Sequence, residues 1–428
     1  MISPAAKGKE IAMSKLKIGM IGLGNRGSCL LDTVLMFEES EVVAVCDGYR
    51  DRTEKAAGVV EYASERKPAQ YNDYKDLLND ENVEAVIIAT SWDTHVTIAI
   101  DAMKAGKKTA MEVGGAMSVE ECYKLVDAYE QTKTPFMFLE NCCYGKTELL
   151  AAALAARGVL GEIVHCSGAY SHDLREEVTG GNRNRHYRLK NYINRNCENY
   201  PTHELGPIAK ILGINRGNRM VSLVSVASKS AGLKEYVKEK SDTIDPLLIG
   251  ESFKQGDIVN TLITCRNGET IALELDTTLP VLYDRKFTVR GTKGLYNQTL
   301  HTVFTGLPEG EEEVWTGLEN SRKLLNSAEK YEAEYLPELW KAATEKDKNL
   351  GHGGMDGFLI HDFILRCIDG REMPIDVYDA AAWMCITPLS EQSIALGGAT
   401  VAIPDFTNGK WMYRKRFDVT DLGADKNA

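Results

Sequence analysis

The sequence predicts two structural classes in succession: an α/β domain built on a doubly wound parallel sheet, and then an α+β domain with a largely antiparallel open sheet. From Leu16, short apolar runs alternate with helical stretches, whereas strand-like runs follow one another after about residue 145. Apolar strands separated by helices are typical of a parallel sheet covered on both faces, and consecutive strands are typical of an antiparallel sheet. A chain of 428 residues is also long enough for two hydrophobic cores.

The first domain is predicted to span residues 15–145. Its strands are expected at LKIGMIG, EVVAVCD, VEAVIIAT, KTAMEV and PFMFLEN. Helices are expected from the end of the first strand to about Phe37, and then at RTEKAAGVVEYASE, HVTIAIDAMKAGK and SVEECYKLVDAYEQTK. The strand runs are short and apolar, whereas the helical runs are longer and mix polar with apolar residues. With VEAVIIAT as the fourth strand and PFMFLEN as the sixth, these elements complete a nucleotide-binding fold.

The second domain is predicted to span residues 146–428. Strands are expected at GEIVHCSGAYSH, RMVSLVSVAS, DIVNTLITCR, ETIALELDTT, RKFTVRG and GLYNQTL, with turns at Asn267-Gly268 and Thr292-Lys293-Gly294. HELGPIAKILG is predicted as a helix between two strands, and residues 308–350 as acidic helical and loop segments on a solvated face. The final helices, at GMDGFLIHDFILRCIDG and VYDAAAWMCITPLSEQSIALGG, can pack back on the first domain.

Composition excludes several classes of function. The net charge of −12 argues against nucleic-acid binding, which depends on clustered Lys and Arg. The ten cysteines are scattered without the spacing of a zinc site, so no metal is expected and the thiols are predicted to be reduced and mostly buried. The chain has no apolar run of membrane-spanning length and begins without the apolar core of an export signal, which predicts a cytoplasmic location and no membrane partner.

A glycine-rich turn at the end of the first predicted strand indicates a dinucleotide site. In Gly22-Leu23-Gly24-Asn25-Arg26-Gly27, the first glycine makes the turn, the second lets the backbone approach a pyrophosphate, and the third packs helix on strand. Asp47 ends the second strand, where a carboxylate accepts hydrogen bonds from the ribose hydroxyls and repels a 2′-phosphate. The context predicts a Rossmann domain that binds NAD rather than NADP; the alternative is a glycine-rich turn without a ligand.

Two further groups of residues are candidates for the site. Trp92-Asp93-Thr94-His95 follows the fourth strand, at the sheet edge where ligands lie, and can flank a nicotinamide ribose; the alternative is that Trp92 anchors a loop and His95 starts a helix. Four of the eight histidines lie between residues 165 and 203, among tyrosines and arginines suited to holding a polyhydroxylated ligand. Each histidine could instead be structural, but His203 begins a helix, where its side chain projects from an end.

Motifs spread from residue 22 to residue 383 carry a resemblance to a known family. They are GLGNRG, TSWDTH, MEV, LEN with CCYG, YSHDLR, HYRLKNY, YPTHELGPIAK with INRGN, GHGGMD and VYDAAAW. The first half resembles the sugar oxidoreductase superfamily that contains glucose-fructose oxidoreductase, inositol dehydrogenase and a rhizopine catabolism protein. Within it, the chain resembles family 109 of the glycoside hydrolases, the NAD-dependent α-N-acetylgalactosaminidases.

The resemblance implies roles for particular residues. It assigns cofactor contacts to Asn25, Arg26, Asp47, Trp92, Asp93, Thr94, His95, Glu112, Val113 and Asn141. It assigns sugar contacts to Tyr170, Arg188, Tyr200, Pro201, Thr202, His203 and Tyr283. Glu140, His172 and His203 are the implied acid/base residues, with Tyr200 acting beside His203 near C2 and C3 of the sugar, and His172 at the leaving group or water. A homo-oligomer is also implied, because the second-domain sheet commonly forms an interface in this superfamily.

The stretch MEVGG, residues 111–115, bears on the type of reaction. Many nicotinamide-dependent sugar dehydrogenases have Glu-Lys-Pro with a catalytic lysine here, whereas Glu112 is followed by Val113 and Gly114. The family route fits this difference: transient oxidation at C3 acidifies the C2 proton, the glycosidic oxygen leaves C1, water adds, and reduction restores the sugar with no net redox change. Two alternatives remain: a plain sugar or inositol dehydrogenase, and a non-enzymatic NAD-dependent sensor.

Overall fold

The computed structural model describes residues 15–306 and 322–423. Its first sheet consists of β1 (Leu16–Ile21), β2 (Ser40–Cys46), β3 (Ala69–Tyr71), β4 (Ala85–Ile88), β5 (Lys108–Met111) and β6 (Phe136–Phe138). All neighbours are parallel, in the order β3-β2-β1-β4-β5-β6. Every residue of β4 is buried, as expected of a central strand covered on both faces. The predicted doubly wound parallel sheet is therefore confirmed.

Five helices connect these strands. They are α1 (Asn25–Val34), α2 (Arg50–Ser64), α3 (Tyr74–Leu78), α4 (Trp92–Lys104) and α5 (Val119–Thr132). The short elements β3 and α3 have no counterpart among the sequence runs named above, because three to five residues carry too little periodicity to be recognised. The prediction that Trp92 to His95 form a loop is wrong: these residues are the first turn of α4, which begins three residues before the predicted HVTIAIDAMKAGK helix.

The second sheet has eight strands and is mostly antiparallel. They are β7 (Ile163–Ser171), β8 (Met220–Ala227), β9 (Ile258–Cys265), β10 (Thr270–Asp276), β11 (Thr288–Gly291), β12 (Leu295–Asn297), β13 (Thr302–Phe304) and β14 (Val401–Ala402). Their order is β13-β12-β11-β7-β10-β9-β8-β14, and the pair β7 and β10 is parallel whereas the other pairs are antiparallel. The predicted turns at Gly268 (φ 103°) and at 292–294 join β9 to β10 and β11 to β12. The prediction of an open, largely antiparallel sheet is confirmed.

Several helices pack against the second sheet or line the cleft beside it. The earlier ones are α6 (Lys146–Ala156), α7 (Arg175–Thr179), α8 (Gly181–Asn184), α9 (Arg188–Asn194), α10 (Thr202–Ile211) and α11 (Gly232–Glu239). The sequence correctly predicts α10, but it treats residues 175–194 as loops, where the structure has the three short helices α7, α8 and α9. Their Arg-rich and Asn-rich sequence has weak helical periodicity, and tertiary contacts supply the order that propensity does not.

The later helices return to the first domain. They span Glu329–Tyr335, Glu338–Lys341, Glu345–Lys348, Met355–Asp369, Val377–Met384 and Ile386–Ala395. Met355–Asp369 packs on α1, and Val377–Met384 packs on α5. Backbone bonds join Phe138 N to Ile375 O (2.9 Å) and Ala116 N to Met384 O (3.2 Å). Of the acidic segment predicted at 308–350, residues 308–321 lie outside the described part of the chain and the rest is short helices and turns.

The structure also bears on thiols and membranes. The ten cysteines are free, and nine of them are buried, as the sequence predicts. Within residues 15–306 and 322–423, every helix is too short or too polar to cross a bilayer.

Candidate active site

A cleft of about 1260 Å³ runs between the two sheets. On one side it is lined by the carboxyl edge of the first sheet, where open α/β folds bind their ligands. On the other side it is lined by residues at the end of β7, in α9 and around the start of α10. The sites predicted separately in the two halves of the chain therefore share one cavity.

The glycine loop between β1 and α1 has the geometry that a dinucleotide requires. Gly22 has φ 90°, and a Cβ on Gly27 would lie 1.9 Å from the carbonyl oxygen of Gly22. A Cβ on Gly24 would have only Arg52 Nη1 within 4 Å, at 3.6 Å, so this backbone faces the open cleft. The first and third glycines thus maintain the turn, and the second leaves room for a pyrophosphate at the start of α1.

Asp47 holds the adenosine end of the cleft. Its Oδ2 accepts a hydrogen bond from Leu23 N (2.7 Å), and its Oδ1 accepts one from Tyr49 N (2.8 Å). Each carboxylate oxygen has a second lone pair, which leaves Asp47 able to accept hydrogen bonds from ribose hydroxyls. The side chain lines the cleft, as predicted.

Arg26 is at the centre of a buried ionic cluster that the sequence pattern does not predict. Its Nε donates to Glu112 (2.8 Å), and its two terminal nitrogens donate to Asp356 (2.6 and 2.9 Å). Asp356 also accepts from Asn141 Nδ2 (2.8 Å) and from His352 Nδ1 (2.7 Å). Although burial acts to raise the pKa of Asp356, hydrogen bonds from His352 and Arg26 hold it well below its usual value, so the group is an anion.

An unusual backbone conformation precedes the helix that carries Asp356 to the cofactor loop. Gly351, His352, Gly353 and Gly354 all have positive φ (58°, 43°, 67° and 99°) immediately before the helix that carries Asp356 in its first turn. Three glycines tolerate this conformation without strain. These residues belong to the motif GHGGMD, and a glycine run followed by an aspartate at a helix start is the signal that could have identified Asp356.

Trp92 explains the glycine in MEVGG. A Cβ on Gly114 would lie 2.2 Å from Trp92 Cδ1, so no larger residue fits here without moving the indole. The Trp92 ring stacks on Tyr200 at a centroid distance of 5.5 Å, and thereby joins the first domain to the second. Glu112 and Val113 line the cleft beside it. The position of the dehydrogenase lysine is thus occupied by an apolar side chain.

His95 has a supporting position in the structure. Its ring is buried, with Nε2 2.9 Å from the carbonyl oxygen of Thr90. Burial lowers the pKa of His95 to about 4, so the ring is neutral and is not a proton carrier at neutral pH. His95, Asp93 and Thr94 all line the cleft, and Asp93 and Thr94 are hydrogen-bonded to Ser91. The cofactor contact of His95 stays a prediction, and the residue also belongs to the first turn of α4.

Glu140, His203 and Tyr200 form a hydrogen-bonded chain. His203 Nδ1 donates to Glu140 Oε1 (2.7 Å), and Tyr200 Oη donates to His203 Nε2 (3.3 Å). Burial acts to raise the pKa of the fully buried Glu140, but His203 and its hydrogen bonds outweigh this and lower it. Burial, next to Tyr170, raises the pKa of Tyr200 well above its usual value. The chain therefore has an anionic end at Glu140 and a protonated phenol at Tyr200.

A second pair, Tyr170 and His172, lies beside the first. Tyr170 Oη is 3.1 Å from His172 Nδ1, and the Tyr170 ring is 4.7 Å from the Tyr200 ring. Tyr283 stands edge-on to His172 at 5.1 Å. Burial and the charge of Arg188 lower the pKa of His172, which leaves the ring neutral and able to accept a proton. The structure thus brings together the predicted tyrosines and histidines of β7, α10 and the loop before β11.

Arg188 places a positive charge over this aromatic group. Its guanidinium lies 5.0 Å from the ring centres of both Trp92 and Tyr200, and its Nε is 2.8 Å from Glu177 Oε1. Its buried Nη1 has no hydrogen-bond partner among the described residues. An unsatisfied buried donor of a charged group is costly, so this nitrogen is suited to bind a ligand oxygen.

Three of the predicted sugar contacts lie outside the lining of the cleft. Tyr283 is half exposed and stands next to His172, whereas Pro201 and Thr202 are buried. They form the start of α10 between Tyr200 and His203, and so position those two side chains. Glu177, which the sequence motifs do not single out, lines the cleft, and so does His352 of the motif GHGGMD.

Two family models match the chain. The model described as "Oxidoreductase family, NAD-binding Rossmann fold" matches residues 16–139. The model described as "Glycosyl hydrolase 109, C-terminal domain" matches residues 144–413. Together with the glycine loop and Asp47, these matches confirm the predicted Rossmann domain and NAD as the cofactor.

Full-length relatives agree with both matches. A "Glycosyl hydrolase family 109 protein" from Stenotrophomonas maltophilia is 38% identical over 427 residues, covering 94% of this chain and 91% of the relative. An "Alpha-N-acetylgalactosaminidase" from Tannerella forsythia is 36% identical over 424 residues, covering 94% and 88%.

Solved structures of other proteins are similar to this chain in fold. Levoglucosan dehydrogenase in complex with NADH and levoglucosan superposes with a TM-score of 0.67 at 20% identity, covering 91% of this chain and 100% of the other. Myo-inositol 2-dehydrogenase from Lactobacillus plantarum gives a TM-score of 0.64 at 17% identity, with the same coverage. The two-domain arrangement is thus shared with sugar and inositol dehydrogenases.

Proposed function

Because the chain belongs to family 109 of the glycoside hydrolases and is an NAD-dependent glycoside hydrolase, we propose that it hydrolyses terminal α-N-acetylgalactosamine with no net redox change. The substrate is taken from the names of relatives such as those from Tannerella forsythia and Bacteroides fragilis, which are 36% and 38% identical to this chain. We propose further that Glu140, His203 and Tyr200 carry the proton transfers of the reaction.

The observation that carries this proposal is the chain of hydrogen bonds from Glu140 through His203 to Tyr200, opening on the cleft of the dinucleotide loop. A carboxylate behind an imidazole is a proton acceptor that needs no lysine in the first domain. Val113 in the lysine position fits the same assignment. The proton acceptor His203 and the phenol Tyr200 therefore come from the second domain, and Glu140, which orients His203, comes from the end of the first.

Direct hydrolysis would need two carboxyl groups flanking the glycosidic bond. The carboxylates near this end of the cleft already have cationic or imidazole partners: Glu112 with Arg26 (2.8 Å), Glu177 with Arg188 (2.8 Å) and Glu140 with His203 (2.7 Å). None of these pairs leaves two carboxyl groups facing each other across a sugar. This arrangement supports the elimination route over direct displacement.

When bound, NAD supplies a reversible oxidant for the C3 hydroxyl, which makes the adjacent C2 proton acidic enough for a side chain to remove. His203 accepts that proton at Nε2, through or beside the Tyr200 hydroxyl, while Glu140 stabilises the imidazolium that forms. A positioned base of this kind contributes roughly 10²–10⁴-fold to the rate. Arg188 and Tyr170 orient the sugar, with the free Arg188 Nη1 donating to one of its oxygens.

We assign His172 to the proton transfers at the departing oxygen and at the water that replaces it. As the C1–O bond breaks, His172 gives its Nε2 proton to the departing oxygen and takes up the Tyr170 hydroxyl proton at Nδ1, and the water that adds at C1 returns a proton by the reverse path. This separates the two proton sites, Tyr200/His203 for C2 and C3 and Tyr170/His172 for the leaving oxygen. The separation matches the two hydrogen-bonded pairs in the cleft.

The experiment uses the purified protein, an α-N-acetylgalactosaminide of 4-nitrophenol and no added cofactor. We expect co-purified NAD, release of nitrophenol, and deuterium at C2 of the sugar when the reaction runs in D2O. Cleavage with the C2 hydrogen fully retained would exclude the elimination route. Accumulation of one NADH per sugar would indicate a dehydrogenase, and binding of sugar without turnover would indicate a sensor.

We also propose that the chain forms a homo-oligomer through the exposed face of the second sheet. Val226 on β8 and Leu262 on β9 are 52% and 59% exposed there, which is unusual for apolar side chains of neighbouring strands. Light scattering coupled to gel filtration is expected to give a dimer or larger species. Leu262→Lys is expected to shift it toward the monomer; an unchanged mass would contradict this interface.

A further inference from the structure

A second depression, of about 300 Å³, has in its wall Tyr283, whose ring lies next to His172 of the active-site cleft. It is lined by Tyr283, Asp284, Arg285, Gln298 and Thr299. The ring of Tyr283 is edge-on to His172 at 5.1 Å and to Tyr170 at 6.4 Å, so one residue contacts the proposed leaving-group acid and borders the depression. We propose that this depression binds the sugar from which N-acetylgalactosamine is cleaved, an inference that rests on the function proposed above.

Position is the first argument. The glycine loop and Asp47 line the cleft from the first domain, and the Tyr170 and His172 pair lines it from the second. With the nicotinamide on one side of the sugar ring, the departing oxygen must leave past His172, the residue assigned to protonate it. Among the described residues, Tyr283 is the ring that borders both His172 and the second depression.

The wall of the depression is anchored directly to the catalytic strand. Ser171, the last residue of β7, exchanges backbone hydrogen bonds with Asp284 in both directions (3.1 and 3.0 Å). Ala169 N donates to the carbonyl oxygen of Arg285 (2.6 Å). Because Tyr170 and His172 alternate with these residues on the same strand, the depression is fixed relative to the proposed leaving-group acid.

A buried carboxylate also fixes the side chains. Glu148 accepts from Arg285 Nη2 (2.5 Å) and from Gln298 Nε2 (2.6 Å). Arg285 Nη1 in turn donates to the Tyr283 hydroxyl (3.4 Å), and the buried Arg285 Nε has no partner among the described residues. Tyr283 is 52% exposed, although its hydroxyl is held in place. A fixed aromatic ring with an open face is a surface on which a sugar can stack.

The chemistry of the lining selects a neutral sugar. Arg285 is paired with Glu148, whereas Asp284 accepts only from the neutral Thr299 Oγ1 (2.8 Å) and Lys286 N (2.8 Å) and keeps its negative charge, which disfavours an anionic sugar. The carboxylate, amide, hydroxyl and aromatic groups of the lining match the hydroxyls and C–H faces of a neutral sugar. The volume is at the lower end of small-ligand clefts, roughly 300–1,000 Å³, and suits a single sugar residue.

The test compares three substrates. The first is α-N-acetylgalactosaminyl fluoride, whose leaving group is too small to occupy the depression. The others are a disaccharide with a neutral hexose as the leaving sugar and an α-N-acetylgalactosaminyl-threonine peptide. Thr299→Trp would fill the depression from its exposed rim. Thr243→Trp, at an exposed threonine that lines neither cavity, is the matched control. Thermal unfolding checks that both variants fold.

The quantity measured is kcat/KM for the disaccharide divided by kcat/KM for the fluoride. We expect this ratio to fall at least tenfold in Thr299→Trp and to stay at the wild-type value in Thr243→Trp. Equal losses on all three substrates, or an unchanged ratio, would overturn the assignment. A fall in kcat/KM confined to the peptide substrate would overturn the sugar assignment and indicate that the depression binds a polypeptide. If the wild-type protein cleaves none of the three substrates, the proposed function itself fails. This outcome differs from a failure of the sugar-binding proposal, in which the wild-type protein is active but the ratio does not change.

Discussion

Glu140 shows how one buried group can determine the chemistry of a site. The carboxylate contacts no solvent, and it accepts hydrogen bonds from His203 Nδ1 (2.7 Å) and Cys142 N (3.0 Å). These contacts fix the His203 ring with Nε2 toward Tyr200. The role of Glu140 is therefore to charge and orient a base, which is a different role from attacking the sugar.

Glu140→Gln tests this role. The amide keeps the shape but cannot stabilise an imidazolium, so we expect kcat to fall roughly 10²–10⁴-fold. Exchange of the C2 hydrogen in D2O is expected to fall with it, whereas the amount of co-purified NAD stays at the wild-type level. Full retention of C2 exchange in this variant would assign the base elsewhere.

A second residue-scale prediction concerns Gly114. In Gly114→Ala the new methyl group would lie 2.2 Å from Trp92 Cδ1, so the indole that stacks on Tyr200 must move. We expect kcat/KM to fall at least about tenfold, since small displacements of positioning groups are costly. Gly58→Ala is the control: Gly58 is exposed on α2 with no atom within 4 Å of the added carbon, and this change should stabilise the protein by about 0.5–1 kcal/mol.

At the scale of elements, the helix Met355–Asp369 links the second half of the chain to the cofactor loop. Asp356, in its first turn, is 1% exposed and makes two bonds to Arg26 (2.6 and 2.9 Å). Arg26 belongs to α1, whose start is the predicted pyrophosphate site. The ion pair therefore sets the position of α1 relative to the C-terminal helices.

Asp356→Asn leaves Arg26 with one buried anionic partner. Removing one member of a buried ion pair costs roughly 3–5 kcal/mol, so we expect a clear fall in the free energy of unfolding measured with urea. Retention of NAD through gel filtration should also fall. Asp369→Asn, at the exposed end of the same helix, is the control and is expected to change stability by less than about 1 kcal/mol. Equal effects of the two variants would contradict a special role for Asp356.

At the scale of the whole molecule, the stability of the fold should depend on pH through a carboxyl group behind the active site. Glu198 is fully buried two residues before Tyr200, and burial raises its pKa to about 8. In the unfolded chain a glutamate has a pKa of about 4.3. Between these values the unfolded state loses its proton while the folded state keeps it, so the free energy of unfolding falls as pH rises from about 4.3 to about 8.

Glu198→Gln removes the contribution of Glu198 to this dependence, whereas Glu204, whose pKa is also raised by burial, keeps its own. The variant is expected to be more stable than the wild type at pH 8, by roughly 1–3 kcal/mol, and to differ less at pH 5. Urea unfolding at both pH values measures the difference. Glu61→Gln, on the exposed surface of α2, should leave the pH dependence of the wild type unchanged. A constant difference between Glu198→Gln and the wild type at both pH values would contradict the assigned pKa.

The sequence by itself determined the fold class and the cofactor, because the features that carry them are local. Gly22, Gly24 and Gly27 form one turn, Asp47 follows one strand, and Tyr200 and His203 lie on one helix start, so spacing along the chain reports their geometry. The same locality predicted α10 and both sheets. It missed α7 to α9, because their order comes from tertiary contacts.

Only the tertiary structure decided which residues act together. The partners of Arg26 and His203 lie far along the chain: Asp356 is 330 residues from Arg26, and Glu140 is 63 residues from His203. Neither pairing leaves a periodic signal, since each depends on how two sheets and a returning helix are packed. The packing also buried His95 and placed Tyr283 beside both His172 and the second depression. These roles depend on burial between segments that are far apart in the sequence, because that burial fixes charges and excludes water. No local sequence pattern encodes such burial.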